Sequence, residues 1–314
     1  MHISGQRPIT HAPSGQPWSK TSTPSKAQQP IDQTYNGLLV CPGDNLTTLS
    51  LMEKSPPPKR EVFSLEFDSQ PNPNSIPAGL DQAWRKRGGD EISASLSQLM
   101  SGTALSTRGG SLYSRVKEGE LQNLDFDLSF QCDESGKEAG SMSRSINFSD
   151  QEAPYVEHCY FRLDKEFQKG GIAKSILSNS MKMYDKLGIE KVYLSAGLSV
   201  GGYAWAKYGF KPENKDDLFR LYDEVRSNMY SLNLNPRIYS LVTGLLNCDD
   251  PKTVWTLSDL QMPVTKIDGE QTTLGKALLM GTYWNGAFDL KDRESRERFE
   301  QYVGSNKQDG EVKA

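Results

Sequence analysis

The chain has 314 residues, a net charge of −4, and 36% hydrophobic and 24% charged residues. Its mean hydropathy of −0.62 is low for a chain packed along its whole length, so part of it is expected to be disordered, and the acidic balance argues against a general nucleic-acid binder. No apolar run approaches the ~20 residues that a membrane-spanning helix needs, and the N-terminus lacks the apolar core of a secretory signal peptide. Cys41, Cys132, Cys159 and Cys248 stand apart with no C-x-x-C pair, which argues against a structural zinc site and fits thiols in a reducing compartment.

Residues 1–60 are rich in Ser, Thr, Pro, Gln and Gly, as in HAPSGQPWSKTSTPSKAQQP, with an isolated apolar patch at Leu38-Leu39-Val40 and a linker-like Ser55-Pro56-Pro57-Pro58. Six basic residues against Asp32, Asp44 and Glu53 give this part +3 and leave −7 on the rest. The segment is expected to be disordered and dispensable for folding. A polar, Ser-rich, acid-poor start resembles the uncleaved secretion signal of bacterial type III effectors, which implies export without a cleavable signal peptide, into a host cell in that case. Transit peptides share the composition, a plain tail needs no such role, and a chain without export would be cytoplasmic.

From residue 61 the pattern changes. Residues 61–67 alternate as a first strand, and 79–86 and 90–100 read as helices, the second with Asp90 as N-cap. Residues 121–131 place Leu124, Phe126, Leu128 and Phe130 at every second position, a strand of period two. Glu134-Ser135-Gly136-Lys137 is a hairpin turn, 141–148 the returning strand, and 156–163 the third strand of a meander. Residues 164–169 form a polar turn before Gly170 and Gly171. A helix follows whose apolar residues fall at Ile172, Ile176, Leu177, Met181, Tyr184 and Leu187, and Gly188 closes it. A strand begins at Val192, parallel to 156–163, and 203–210 is the next helix.

The turn before the long helix has a physical use. The first amides of a helix lack intrahelical partners, the helix dipole adds partial positive charge, and glycines let a phosphate approach the backbone. Neither G-x-G-x-x-G nor G-x-x-x-x-G-K-[ST] is present. Gln168-Lys169-Gly170-Gly171-Ile172-Ala173 reads Q-x-x-G-x-A and resembles the acetyl-CoA pyrophosphate loop of the GNAT (Gcn5-related N-acetyltransferase) superfamily. Tyr203 to Phe210, YAWAKYGF, is similar to that family's fourth helix, which commonly closes on Gly-Phe. The element order β-α-α-β-β-β-α-β-α across residues 61–210 agrees. The resemblance implies a mixed, twisted α/β sheet with helices on both faces, splayed where 156–163 meets the strand at 192, with acetyl-CoA in the gap and no metal.

After Phe210 the pattern departs from the family's closing hairpin. Residues 214–230 read as a helix, Asn235-Pro236 and Asp250-Pro251 each start another, and a strand-like run returns at 276–290 before a final helix over 292–303. The expected domain therefore spans 61–304, with a helical insertion at 214–260 and a disordered tail at 305–314. The insertion either covers a sheet edge or serves as a lid or protein-substrate platform.

The resemblance also implies the site. The backbone of Phe161, Arg162 and Leu163 would pair with the pantetheine arm, as an added strand does. Gln168 and the amides from Lys169 through Gly170, Gly171, Ile172 and Ala173 to Lys174 would hold the pyrophosphate, with the charges of Lys169 and Lys174 beside it. Glu157, eleven residues before Gln168, has the spacing of the general-base glutamate in histone-type members, and a carboxylate among apolar residues has a raised pKa that suits a base. His158 is the other base by side-chain type, and the two point to opposite faces of a strand. Many members carry an acidic Tyr four residues before the closing Gly. Here that position is Trp205, which leaves Tyr203 and Tyr208 as the acid and puts the acid step in doubt. The implied activity is acetyl transfer to a protein lysine or terminal amine, of a host target in the effector case. The alternatives are a CoA-binding docking module without catalysis and a small-molecule acetyltransferase, with oligomeric state open.

Overall fold

The computed structural model describes residues 61–66 (backbone only), 76–148, 152–168, 170–197 and 201–304. Residues 1–60 and 305–314, expected to be disordered, lie outside the described residues. The described part falls within one of two units of the chain, Leu51–Ala314.

Strand β1 (Glu61–Glu66) precedes helices α1 (Ala78–Lys86) and α2 (Ile92–Gln98), followed by β2 (Leu105–Lys117), β3 (Glu120–Cys132), β4 (Glu138–Asn147) and β5 (Tyr155–Leu163). A 3-10 turn over Lys165–Phe167 leads to α3 (Ile172–Lys186), β6 (Lys191–Ala196), α4 (Gly201–Lys207) and the two-residue β7 (Lys211–Pro212). Then come α5 (Lys215–Met229), α6 (Pro236–Leu245), α7 (Thr253–Ser258), β8 (Pro263–Thr265), β9 (Gln271–Thr273), α8 (Leu274–Leu279), β10 (Trp284–Asp289) and α9 (Arg293–Gly304).

The main sheet has the order β1-β2-β3-β4-β5-β6-β10-β7, and β8 and β9 form a separate hairpin. Every pair in the main sheet is antiparallel except β5–β6, because α3 carries the chain across between those two strands. Alternation sets the faces. Leu124, Phe126, Leu128 and Phe130 of β3, Met142 and Ile146 of β4, Val156 of β5, Val192 and Leu194 of β6, and Trp284 and Phe288 of β10 are buried on one face.

Helices α1, α2 and α3 cover that face together. Trp84 of α1 is fully buried, Lys186 of α3 pairs with Asp90 at 2.8 Å, and Asn179 donates to the carbonyls of Leu99 and Ser101. Helix α9 lies antiparallel to α3, with Arg296 on Asp185 at one end and the Lys174 ammonium donating to the Tyr302 carbonyl at 2.6 Å at the other. Helix α5 takes the opposite face of β10, where Asp217 accepts from the backbone and side chain of Asn285, each at 3.3 Å. The sheet is thus mixed and carries helices on both faces.

Five expectations need correction. The meander has four strands, because Leu105–Lys117 is a strand of 13 residues as well, so 156–163 lies in its fourth member rather than its third. Asp90 does not cap α2: the cap position is Glu91 with no side-chain bond, and the Ile92 amide donates to Asp81 at 2.9 Å. The run 276–290 is not one strand: its first part lies in α8 and only Trp284–Asp289 is extended. The insertion begins after β7, which pairs with β10, and runs on past 260 through the β8–β9 hairpin and α8. Asp250-Pro251 forms a turn, with α7 starting at Thr253, while Asn214 and Asn235 cap α5 and α6 with their side chains as read.

Candidate functional site

The parallel β5–β6 pairing begins at Tyr155↔Lys191 and ends at His158↔Leu194, although β5 runs on to Leu163 and β6 to Ala196. Beyond that point the strands splay, at their carboxyl ends, which is where ligands enter open α/β sheets. On its other side β5 stays paired with β4 to Gly140↔Leu163, with a shift between Ser143↔Tyr160 and Arg144↔His158 that leaves Cys159 as a bulged residue. A bulge bends its strand and raises the local twist, which is what drives β5 away from β6. Cys159 through Leu163, the expected Phe161 and Arg162 included, therefore turn an unpaired edge to the gap.

At the end of this edge lies the loop before α3. Gly171 is the N-cap of α3 with φ +75°, a left-handed conformation that glycine takes without strain. A Cβ at Gly170 would meet nothing within 4 Å, so that position faces open space. Helix α3 carries no side-chain cap and no acidic residue in its first turn, so the amides of Ile172, Ala173 and Lys174 point outward with the positive end of the dipole. The side chain of Gln168 donates to the Leu163 carbonyl at 2.8 Å. It is a strut that ties the loop to β5, which removes both its amide group and that carbonyl from the ligand set. Lys169 lies outside the described residues. The Lys174 ammonium is held by the Tyr302 carbonyl and stands 4.2 Å from the centre of the Tyr302 ring, so its expected charge on a phosphate is already engaged by α9.

Glu157 and His158 face opposite sides, as expected. Glu157 is half-buried on a polar row that crosses the sheet through Asp125, Ser145, Glu157 and Tyr193, next to the edge-on pair Tyr155–Tyr193 with ring centres 5.5 Å apart. His158 is buried against Tyr184, Trp205 and Phe210, with Nε2 2.9 Å from the Tyr184 hydroxyl. Burial first and the Arg144 charge second hold its pKa well below the ordinary histidine value. His158 is therefore a neutral core residue, not a base open to substrate.

The two candidate acids part company. Tyr208 is 7% exposed and packs on Trp205 and on Phe299 and Tyr302 of α9; burial and Tyr302 push its pKa far up. Tyr203 is half-buried at the edge of the same aromatic group. The Trp205 ring centre stands 5.9 Å from that of His158.

One residue of this region was not singled out in the sequence. Arg144, opposite His158 on β4, is buried with Nε and Nη2 lacking an acceptor. Its signal was present: it occupies the same strand phase as Met142 and Ile146, where an apolar residue belongs.

The insertion shows a different surface. Tyr230 and Ile267 are each 75% exposed, and Tyr239 and Leu241 are exposed as well. A cleft of about 460 Å³ runs between the start of α6 and the hairpin, lined by Asn235, Ile238, Val264 and Gln271 among others. Among the described residues no cluster of potential metal ligands occurs and no helix is long and apolar enough to cross a membrane.

No family model and no curated protein matches the chain. Among solved structures the chain is similar to a GNAT family acetyltransferase from Elizabethkingia anophelis with acetyl-CoA bound, at 13% identity over 52% of this chain and 76% of that one, with a TM-score of 0.25. It is also similar to RimL, a ribosomal L7/L12 alpha-N-protein acetyltransferase, in two apo crystal forms, at 21% and 22% identity over 29% of this chain, with a TM-score of 0.22 for each. The chain spans 49% and 56% of the RimL chains. These structural neighbours are acetyltransferases, while what the site can do follows from the geometry of this chain.

Proposed function

We propose that residues 61–304 form an acetyl-CoA-dependent N-acetyltransferase of the GNAT type that acts on a protein amine. The observation that carries this reading is the end of β5–β6 pairing at His158↔Leu194, after which β5 runs on to Leu163 and leads into a glycine loop with open helix amides. An unpaired strand edge and a phosphate cradle at one end of a parallel crossover fit a ligand with an amide-bearing arm and a pyrophosphate. Acetyl-CoA supplies the activated thioester. The chain supplies the open edge at Phe161 and Arg162, the loop from Gly170 to Lys174, and Glu157 to take the proton of the attacking amine from the polar face. Whether residues 1–60 export the chain to a host cell is a separate part of the proposal, tested by fusing them to a reporter and assaying its secretion.

The direct test is a denaturing mass spectrum of a lysate incubated with the protein and isotopically heavy acetyl-CoA. Heavy acetyl groups on protein lysines or N-termini support the reading, and their absence despite measurable acetyl-CoA binding favours the second one. That second reading is a CoA-binding docking module. It draws on Trp205 and the inward-facing Tyr208, which leave α4 with no acid from these two positions, and on the exposed Tyr230, Tyr239, Leu241 and Ile267 of the insertion.

A further inference from the structure

The buried face of the meander holds one guanidinium. Arg144 is 1% exposed. Its Nη1 donates to the carbonyls of Ser143 at 2.7 Å and Tyr160 at 2.6 Å, and the Phe161 ring centre lies 5.8 Å away. The side chain thus reaches across β5 to the first residues past the bulge, where the strand has parted from β6. Its Nε and Nη2 meet no acceptor, and among the described residues no carboxylate lies within ion-pair reach of it. A buried cation with open donors is costly unless an opposite charge or a set of acceptors compensates it.

The groups packed around it compensate only in part: the Tyr184 hydroxyl of α3 hydrogen-bonds to the guanidinium but stays protonated, its pKa raised by burial, His158 of β5 is kept neutral by burial, and Trp205 of α4 carries no charge. The Cys159 thiol at the bulge also acts on the guanidinium. Arg144 is the one fixed charge among these groups, and it reaches Tyr160 on the part of β5 that has parted from β6.

We propose that Arg144 is the electrostatic partner of the departing sulfur: its guanidinium charge stabilises the CoA thiolate, so that no protonation of the leaving group is required. This rests on the acetyltransferase reading of the gap. In the step concerned, the neutral amine nitrogen forms the new C–N bond and the C–S bond breaks. The electron pair of that bond stays on sulfur, and the amine proton passes to Glu157. The sulfur leaves as a thiolate beside the guanidinium, a charge-assisted contact of the stronger kind.

The test compares CoA with desulfo-CoA, titrated calorimetrically into the full chain from pH 7 to 9.5. A thiol titrates near its ordinary value of about 8.5, whereas the protein's own titrations affect both ligands alike. The affinity ratio of CoA to desulfo-CoA is expected to rise about tenfold across this range in the wild type, the order expected of one charge-assisted contact. In Arg144→Gln desulfo-CoA should bind as in the wild type while the ratio stays flat. Should that variant not fold, Arg144→Met, neutral and of similar length, takes its place, and the wild-type ratio alone remains decisive. A flat ratio in the wild type, or the same rise without Arg144, overturns the role of Arg144 and leaves the cofactor site standing. If neither ligand binds the wild type, the cofactor site itself falls and this role falls with it.

Discussion

Replacing Gly170 by Glu separates the loop's part in binding from its part in folding. The position faces open space, and its φ lies outside the left-handed range, so a side chain enters without clash or strain. A carboxylate there sits at the N-terminus of α3, whose first turn has no acidic residue and no side-chain cap. Such a charge is worth about 0.3–1 kcal/mol, and removing a glycine at a compatible position adds about 0.4–1 kcal/mol through the unfolded chain. With about 2–4 °C per kcal/mol for a domain of this size, the melting temperature should rise by roughly 1–8 °C. The same carboxylate occupies the place proposed for the pyrophosphate, so the further rise that acetyl-CoA causes in the wild type should vanish. The assay is a melting curve for each chain with and without saturating acetyl-CoA. A variant that melts lower than the wild type, or that still responds to acetyl-CoA as the wild type does, refutes the reasoning. Gly171→Ala is the contrasting control: its φ of +75° costs an L-residue about 1–2 kcal/mol, so the free protein should melt lower.

Glu157→Gln should lower acetyl transfer by about 10²–10⁴-fold with acetyl-CoA binding retained, and the loss should shrink at high pH, where the amine deprotonates without help; an unchanged rate removes Glu157 as base. Tyr208→Phe should leave the transfer rate at the wild-type level, since the hydroxyl is buried against α9, and a large loss would restore it as the acid. His158 gives a pH signature. Its folded pKa is lowered, so the unfolded chain binds the extra proton, and stability, at its full value above about pH 6.5, falls below it by up to about 1.4 kcal/mol per pH unit. Denaturant titrations of His158→Gln between pH 6.5 and 5 should show a shallower slope than the wild type, whereas Asp259 and Asp292, whose pKa values are lowered, act at lower pH. Equal slopes would mean that His158 does not carry this dependence.

Strands with a strict alternation were legible, and those whose pattern is set by contacts were not. Strand β3 announces itself because four apolar side chains must face one core. Strand β2 does not: its buried positions include Thr107 and Ser114, and its centre holds Gly109 and Gly110. At Gly110 a Cβ would lie 2.0 Å from the Asp127 carbonyl of β3, so a residue that reads as a break in sequence is what allows the strands to approach. The β8–β9 hairpin turns at Asp268-Gly269, with φ +89° at the glycine, a turn signal set between strands of three residues too short to show a period. Residues 276–279 read as strand because so short a stretch has no period of its own; packing against α5 and α7 makes it helical.

At the site, the opposite orientations of Glu157 and His158 followed from alternation alone. The bulge at Cys159, which opens the gap and turns the following residues, depends on how β4 and β5 pair and leaves no mark in the chain. The engagement of Lys174 by Tyr302 joins residues 128 positions apart, and the inward turn of Tyr208 depends on α9, which no local pattern places beside α4. Arg144 was readable as an exception to its strand's phase, yet only the structure reveals that its Nε and Nη2 have no acceptor.

The central claim is that the splayed strands and the glycine loop hold acetyl-CoA, and the melting temperature of the full chain under acetyl-CoA tests it most directly. A ligand that binds only the native state adds about 2.7 kcal/mol at a hundred times its Kd, which for a domain of this size is a rise of roughly 5–11 °C. The account predicts that rise with acetyl-CoA and a smaller one with adenosine alone, which lacks the arm and the pyrophosphate. A melting curve that saturating acetyl-CoA leaves unchanged would contradict it.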